Sequence, residues 1–449
     1  MAKARPTSRL WSGSTSFARV ASHTVIAKVR GAAAPGRMAM GTARAAAVGA
    51  VASTLERLVE NGYAASVRPV FDDAGPARGR SMPLGDALLG AAGPGPARAP
   101  RQLAAATRST GIVALTVAPG TSPRDLARHV AAMPQVEYAF VPPIRRLFGA
   151  KAAARTPAGR AKRSAPEQWA HPVVRLAEAQ ALRAFKDGST VTVAVVDSGI
   201  DDGHPDLAPA IVEYRNFLPE KDKDYAGHGT HVAGIIGARP KTATGVSGVS
   251  RAKLLALKAL PRDPDDFDAT AYYRALRYVI GRAQVLNLSL GGEKDPAELD
   301  VLRDVIASGV LVVAAMGNEY EEGNPVEYPA AMPEVCAVGA TDRRDRRAWF
   351  SNTGRHIDLV APGVEILSTT PTYAYDEPDG KRRYDSMDGT SMATPLVAGA
   401  AALLLARQPG LTPARAIARL QRTADRVAGA RAGSPSYGAG RLNVHALVR

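Results

Sequence analysis

The chain has 449 residues, 46% of them hydrophobic and 22% charged, a composition that suits two or three globular domains and excludes a disordered or fibrous polymer. The formal net charge is +15, and the single cysteine, Cys336, excludes an intrachain disulfide and a multi-cysteine zinc site. The longest strongly apolar run, residues 396–406 interrupted by Gly399, falls short of the roughly 18 residues that a bilayer-spanning helix needs, so no membrane span is expected.

Residues 1–21 form an N-terminal extension with scattered Lys and Arg and no apolar core of a secretory signal. The hydrophobic period then switches repeatedly: a strand over 24–30, a helix over 43–62, a strand over 64–71, and a Pro-, Gly- and Ala-rich loop over 72–109. A strand over 111–117 follows, then a helix that Ser122 caps and Pro123 opens, then a strand over 135–140. The order β-α-β-β-α-β predicts a small α+β, ferredoxin-like domain over residues 22–146.

Charge is unevenly spread: residues 1–165 hold 24 basic and 7 acidic side chains, a net +17, and the remaining residues net −2. Such asymmetry suits a nucleic-acid or anionic-membrane partner, but no recognition module accompanies it. Docking of the basic third on a less basic partner domain is the simpler reading, and no nucleic-acid partner is expected. Residues 147–166, with five basic residues, two prolines and no apolar period, are a basic linker.

From residue 167 to 449 the pattern is that of an α/β domain. Strands are expected over 191–196, 253–260, 284–290, 310–315 and 335–338, and helices over 229–237, 269–282, 296–308, 391–406 and 412–424. Near-continuous apolar strands separated by helices predict a mostly parallel sheet covered by helices on both faces. Cys336 falls in one of these strands and reads as a buried core thiol.

Ligands of such sheets bind beyond the carboxyl ends of the strands, which singles out polar residues placed there. Asp197 closes an apolar strand, His228 opens a helix between Gly227 and Gly229, and Ser391 lies in a tight turn leading into an apolar helix. Taken singly, these are a structural Asp, a satisfied His and a helix cap. Together they are the types that nucleophilic catalysis requires: a serine hydroxyl needs a base, and the base needs a carboxylate to hold its tautomer. Asn318 follows an apolar strand and a glycine, and taken alone it reads as a turn residue.

The blocks Asp197-Ser198-Gly199-Ile200-Asp201, His204-Pro205-Asp206-Leu207, His228-Gly229-Thr230-His231-Val232-Ala233-Gly234 and Gly389-Thr390-Ser391-Met392-Ala393-Thr394-Pro395 resemble the signature motifs of the subtilases, the subtilisin-like serine proteases. The order Asp, His, Ser matches as well. The resemblance implies a serine endopeptidase with Asp197 as orienter, His228 as general base, Ser391 as nucleophile and Asn318 as oxyanion donor. It also implies that Ser289, Leu290 and Gly291 bind an extended substrate strand, and that Gly291, Gly292 and Gly317 leave room for the side chain before the scissile bond. Glu319, beside that pocket, would favour Lys or Arg there. Leu396 stands where the family usually has a histidine that is not part of the triad.

No organic cofactor is implied. Asp206 matches a family calcium ligand, but the adjoining loop 237–245 carries Arg239 and Lys241, which oppose a hard cation. His228 and His231 lack a third ligand to make a metal site. The resemblance further implies that residues 22–146 are a propeptide that assists folding and blocks the cleft of a monomeric zymogen until self-processing. Arg163, in Lys162-Arg163-Ser164, is a candidate processing point, and a cut nearer Gly149 suits the propeptide's reach better. The alternatives are a catalytically silent binding protein with a permanent basic arm, and an acyl hydrolase of small esters, for which an extended-peptide edge has no purpose. Compartment stays open: the missing signal points inward and the propeptide outward.

Overall fold

The computed structural model describes residues 23–30, 55, 57–71, 111–148, 150–151, 167–242, 245–375, 383–431 and 433–449. Arg163 and most of the linker, together with much of the expected helix over 43–62, lie outside these residues. Strands β1 (Thr24–Val29), β2 (Ala64–Pro69), β3 (Ile112–Val117) and β4 (Val136–Phe140) form an antiparallel sheet in the order β2-β3-β1-β4. That order is the one a split βαβ motif produces. Helix α1 (Pro123–Ala131) starts as expected, with the Ser122 hydroxyl accepting from the Asp125 N–H, and it buries Leu126, Ala127 and Val130 against the sheet.

Two short strands follow, β5 (Arg146–Leu147) and β6 (Ala150–Lys151), and neither joins that sheet. The larger domain is built on seven strands: β7 (Thr192–Asp197), β8 (Ile211–Asn216), β9 (Lys253–Lys258), β10 (Val285–Leu288), β12 (Leu311–Ala315), β13 (Cys336–Thr341) and β14 (Leu359–Pro362). Every pairing in the order β14-β13-β12-β10-β7-β9-β8 is parallel. The two-residue strand β11 (Leu290–Gly291) and the hairpin β15 (Ile366–Thr369) and β16 (Tyr384–Asp388) stand apart from it.

Alternation along β7 divides the core. Val193 and Val195 belong to one cluster, with α2 (His228–Gly237), α5 (Thr390–Arg407) and α6 (Pro413–Thr423). Ala194 and Val196 belong to the other, with α3 (Ala269–Tyr278) and α4 (Pro296–Ala307). Period-two side chains on a sheet buried on both faces require this arrangement.

Helix α5, at 18 residues, is the one helix among those described that is long and apolar enough to cross a membrane, yet 89% of it is buried in the protein. The expected helix over 391–406 agrees with it to within one residue at each end, with Pro395 inside the helix. Cys336 is fully buried on β13, and burial pushes its thiol well above the ordinary value. The strand order reverses beside β7 and β10, and that switch point gathers the C-terminal ends of β7, β10 and β12 on one rim.

Candidate active site

Asp197 ends β7 fully buried, and its Oδ1 accepts hydrogen bonds from His228 Nδ1 at 2.8 Å, Ser198 N at 2.8 Å and Ser198 Oγ at 3.1 Å. His228 is the first residue of α2, and glycine on its far side is a steric necessity. A Cβ on Gly229 would stand 2.1 Å from the Gly199 carbonyl oxygen and 3.0 Å from Asp197 Cβ. Any larger residue would push the helix away from the strand and break the Asp197–His228 contact.

Asp224, which sequence reasoning missed, fastens this corner. Its Oδ1 accepts from Ser198 Oγ and Gly227 N, and its Oδ2 from the N–H and hydroxyl of Thr230, all at 2.7 to 2.8 Å. Burial raises its pKa above the usual carboxylate range against these bonds, and the charge of Asp197 adds to the rise. His231 is a core histidine: its Nε2 contacts the Asp385 carbonyl at 3.1 Å, and burial pushes its pKa down to about 3.

Ser391, the second residue of α5, is bracketed by Ser289. The Ser391 hydroxyl donates to the Ser289 carbonyl at 2.8 Å, and the Ser289 hydroxyl donates to the Ser391 carbonyl at 2.9 Å. His228 Nε2 has no hydrogen-bond partner among the described residues, so the structure joins Asp197 to His228 but leaves Ser391 turned toward Ser289.

Asn318 is oriented by Thr390, whose N–H and hydroxyl both donate to Asn318 Oδ1 at 2.9 Å. The amide nitrogen is thereby aimed outward. Asn318 Nδ2 donates at 2.9 Å, and Ser391 N at 3.2 Å, to one oxygen, the carbonyl of Phe148. Thr390 was legible only as part of a motif, because its role is set by a contact 72 residues distant in sequence.

The chain itself runs through the cleft. β5 pairs antiparallel with β11, Leu147 opposite Leu290 and Arg146 opposite Gly291, and β6 pairs antiparallel with β16. A Cβ on Gly291 would meet the Phe148 ring at 2.4 Å, and one on Gly292 would meet Arg145 Nη1 at 2.6 Å. Gly317, at φ +102°, has Glu327, Glu319 and Asn352 around it within 3 Å of a Cβ position. The side chain of Leu290 is fully buried, and its backbone pairs with Leu147.

Glu319 Oε2 accepts from Asn318 N at 2.7 Å and from Asn352 Nδ2 at 3.4 Å, so its carboxylate braces the donor loop. Sequence reading passed over its neighbour Glu327, which reaches the same pocket only because the intervening turn folds back. Glu327 Oε2 has no partner among the described residues, and burial, then the charge of Glu319, pushes its pKa up to about 7. Asp206 does not fit the expected calcium ligand. Its oxygens are taken by Lys241 N, Val246 N and the Tyr384 hydroxyl, hydrogen-bond donors that suit an anion and offer a cation nothing.

Comparison with known proteins accords with this geometry. Residues 188–440 match the model of the Subtilase family, and the chain belongs to that family, the subtilisin-like serine proteases. Over 274 residues it is 41% identical to subtilisin amylosacchariticus from Bacillus subtilis subsp. amylosacchariticus, covering 58% of this chain and 66% of that protein. Subtilisin DY from Bacillus licheniformis is 38% identical over 289 residues, 62% of this chain and 97% of that protein. The major intracellular serine protease of Bacillus subtilis (strain 168) is 37% identical over 252 residues, 54% of this chain and 72% of that protein. The crystal structure of fervidolysin from Fervidobacterium pennivorans, a keratinolytic enzyme related to subtilisin, shares the fold at a TM-score of 0.67 and 21% identity, covering 96% of this chain and 61% of that one.

Proposed function

We propose that the protein is a serine endopeptidase made as a zymogen, and that its first substrate is its own bond between Phe148 and Gly149. The observation that carries this is the Phe148 carbonyl held between Asn318 Nδ2 and Ser391 N, with paired strands on either side. Ser391 Oγ gives up the Ser289 carbonyl, passes its proton to His228 Nε2 and attacks the Phe148 carbonyl carbon. Asp197 holds Nδ1–H and stabilises the imidazolium, while the two donors take the oxyanion. The imidazolium then protonates the departing Gly149 amine, and water releases the acyl enzyme by the same route in reverse.

Residues up to 148 leave as the propeptide, which occupies the cleft as product and inhibitor, and Arg163 is a later trimming point. The triad and donors supply nucleophile, proton transfer and charge stabilisation from the chain's own groups. Other protein or peptide substrates would follow the same extended path along residues 289–291.

Incubating the purified chain and sequencing its products tests the reading. A new N-terminus at Gly149, with labelling of Ser391 by a phosphonate directed at active serines, is expected. An uncleaved chain whose serine resists the reagent would leave a binding protein with a permanent arm. Asn318→Leu removes one of the two donors. It should lower turnover by about 100- to 1,000-fold with little change in KM, as read by steady-state kinetics of the processed enzyme.

The pocket also predicts pH dependence. With the Phe148 ring bound, the Glu327 carboxyl is raised to about 7, so the bound state takes up a proton that the open pocket releases. The stabilisation is full below the open pocket's pKa and is lost as pH rises through about 7. Inhibition by the 1–148 fragment should weaken as pH rises from the open pocket's pKa to about 7, by at most about ten-fold per pH unit, and level off above that, and Glu327→Gln should flatten the profile. At the higher pH, ionised Glu327 with Glu319 would shift preference toward Lys or Arg before the scissile bond, which paired Phe and Arg peptides would measure.

A further inference from the structure

The fourth residue before the Phe148–Gly149 bond, counting Phe148 as the first, is Arg145. It is an arginine with its side chain fully enclosed by the larger domain. Arg145 Nη2 and Nε make a two-pronged bond to Glu298, at 2.6 and 3.1 Å, and Nη1 donates to the Glu293 carbonyl at 2.9 Å. Asp295 Oδ2 stands 3.8 Å from Nη2. The acids are themselves held: Tyr272 OH donates to Glu298 Oε1 at 2.7 Å, Tyr273 OH to Asp295 Oδ2 at 2.5 Å, and Glu298 N to Asp295 Oδ1 at 3.0 Å. These four side chains come from α3 and the start of α4, and all are buried.

We infer that this pocket is a substrate subsite, and that the processed enzyme selects peptides with arginine four residues before the bond it cuts. The inference rests on the proposed cut at Phe148–Gly149, which fixes the register of Arg145. Every group lining the pocket stays with the larger domain when residues up to 148 depart, and a substrate strand on residues 290–292 delivers its own fourth side chain to the same place. Two buried carboxylates a few ångströms apart are a poor environment for an apolar side chain and a good one for a cation. Burial raises the pKa of both Asp295 and Glu298, and the Arg145 charge is the main influence opposing it. The fork geometry further distinguishes guanidinium from ammonium, since lysine cannot make two parallel bonds to one carboxylate. A fully dehydrated arginine, satisfied on three sides, is a site built around one side chain.

The test compares processed enzyme on peptides of sequence Ile-Xaa-Arg-Leu-Phe-Gly-Ala-Lys, with Xaa as Arg, Lys, Leu or citrulline, which keeps the shape of arginine without its charge. kcat/KM for Arg should exceed that for Leu and citrulline by about 30-fold or more, with Lys between, and Glu298→Gln should lower the Arg-to-Leu ratio at least about ten-fold. Equal rates for Arg, citrulline and Leu in the wild type would overturn the inference without needing any variant. A second readout requires no catalysis. In the Ser391→Ala chain, adding Arg145→Leu should speed amide exchange over residues 146–148 at least about ten-fold relative to Ser391→Ala alone. Unchanged exchange would overturn the pocket's preference. Loss of all peptide cleavage with the expected exchange result would instead count against the proposed enzymatic function.

Discussion

Ser391→Ala should leave the protein as one uncut chain, with the first-order rate of cleavage at Phe148–Gly149 reduced about a million-fold, the size of effect expected when a serine nucleophile is deleted. The substitution is clean because so much stays in place. The Ser391 N–H and Asn318 Nδ2 still hold the Phe148 carbonyl, the flanking strands still pair, and the lost hydroxyl makes one hydrogen bond, to Ser289 O. Folding should therefore survive, with a cost of about 1 kcal/mol for that bond. Intact-mass spectrometry over time is the measurement. Equal cleavage of wild type and variant would mean that another protease makes the cut.

Asp197→Asn separates orientation from nucleophilicity and should lower kcat/KM of the processed enzyme by about 10,000-fold. Asp197 Oδ1 accepts three hydrogen bonds, from His228 Nδ1 and both donors of Ser198. An asparagine can keep its oxygen there and still cannot stabilise an imidazolium as an anion does. If its amide turns inward, it forces the unproductive tautomer. Stability should move the other way or not at all. Asp197 and Asp224 share Ser198, and the charge of Asp197 raises the pKa of Asp224, so removing it relieves a buried repulsion. Thermal unfolding of the Ser391→Ala and Ser391→Ala/Asp197→Asn proteins, with the melting point of the second at or above the first, checks this. A fall of several degrees would show that the carboxylate is needed chiefly to hold the fold.

The sheet was legible where its strands are buried on both faces, because runs such as residues 193–196 and 310–315 admit no polar interruption. β8 and β14 were not. β8 lies at an edge, and its sequence Ile-Val-Glu-Tyr-Arg-Asn is half exposed, while β14 is four residues ending in proline. The β15–β16 hairpin escaped because its strands are short and separated by residues 370–383, with no tight-turn signal.

At the site, motif residues could be read singly, and the contacts between distant segments could not. Asp224 and Thr390 look like ordinary turn and helix-start residues until Ser198 and Asn318 are placed beside them. Glu327 and Glu298 carry no sequence signal, since an acidic residue in a loop or a helical first turn is most often solvated. Only burial gives them meaning. At Asp206 the motif position suggested a ligand while Arg239 and Lys241 argued against a cation, and its surroundings make it a hydrogen-bond hub.

On the proposed cut, the pairing of residues 146–147 with β11 and of residues 150–151 with β16 sets the clock of maturation. A bond already threaded through its own catalyst is cut without any encounter between molecules. Its half-time is then the same in a dilute solution as in a crowded one, and so is the rate at which the severed segment lets go, whereas destruction of that segment by a neighbouring copy grows faster with concentration. A population of these molecules would therefore commit individually and become active collectively.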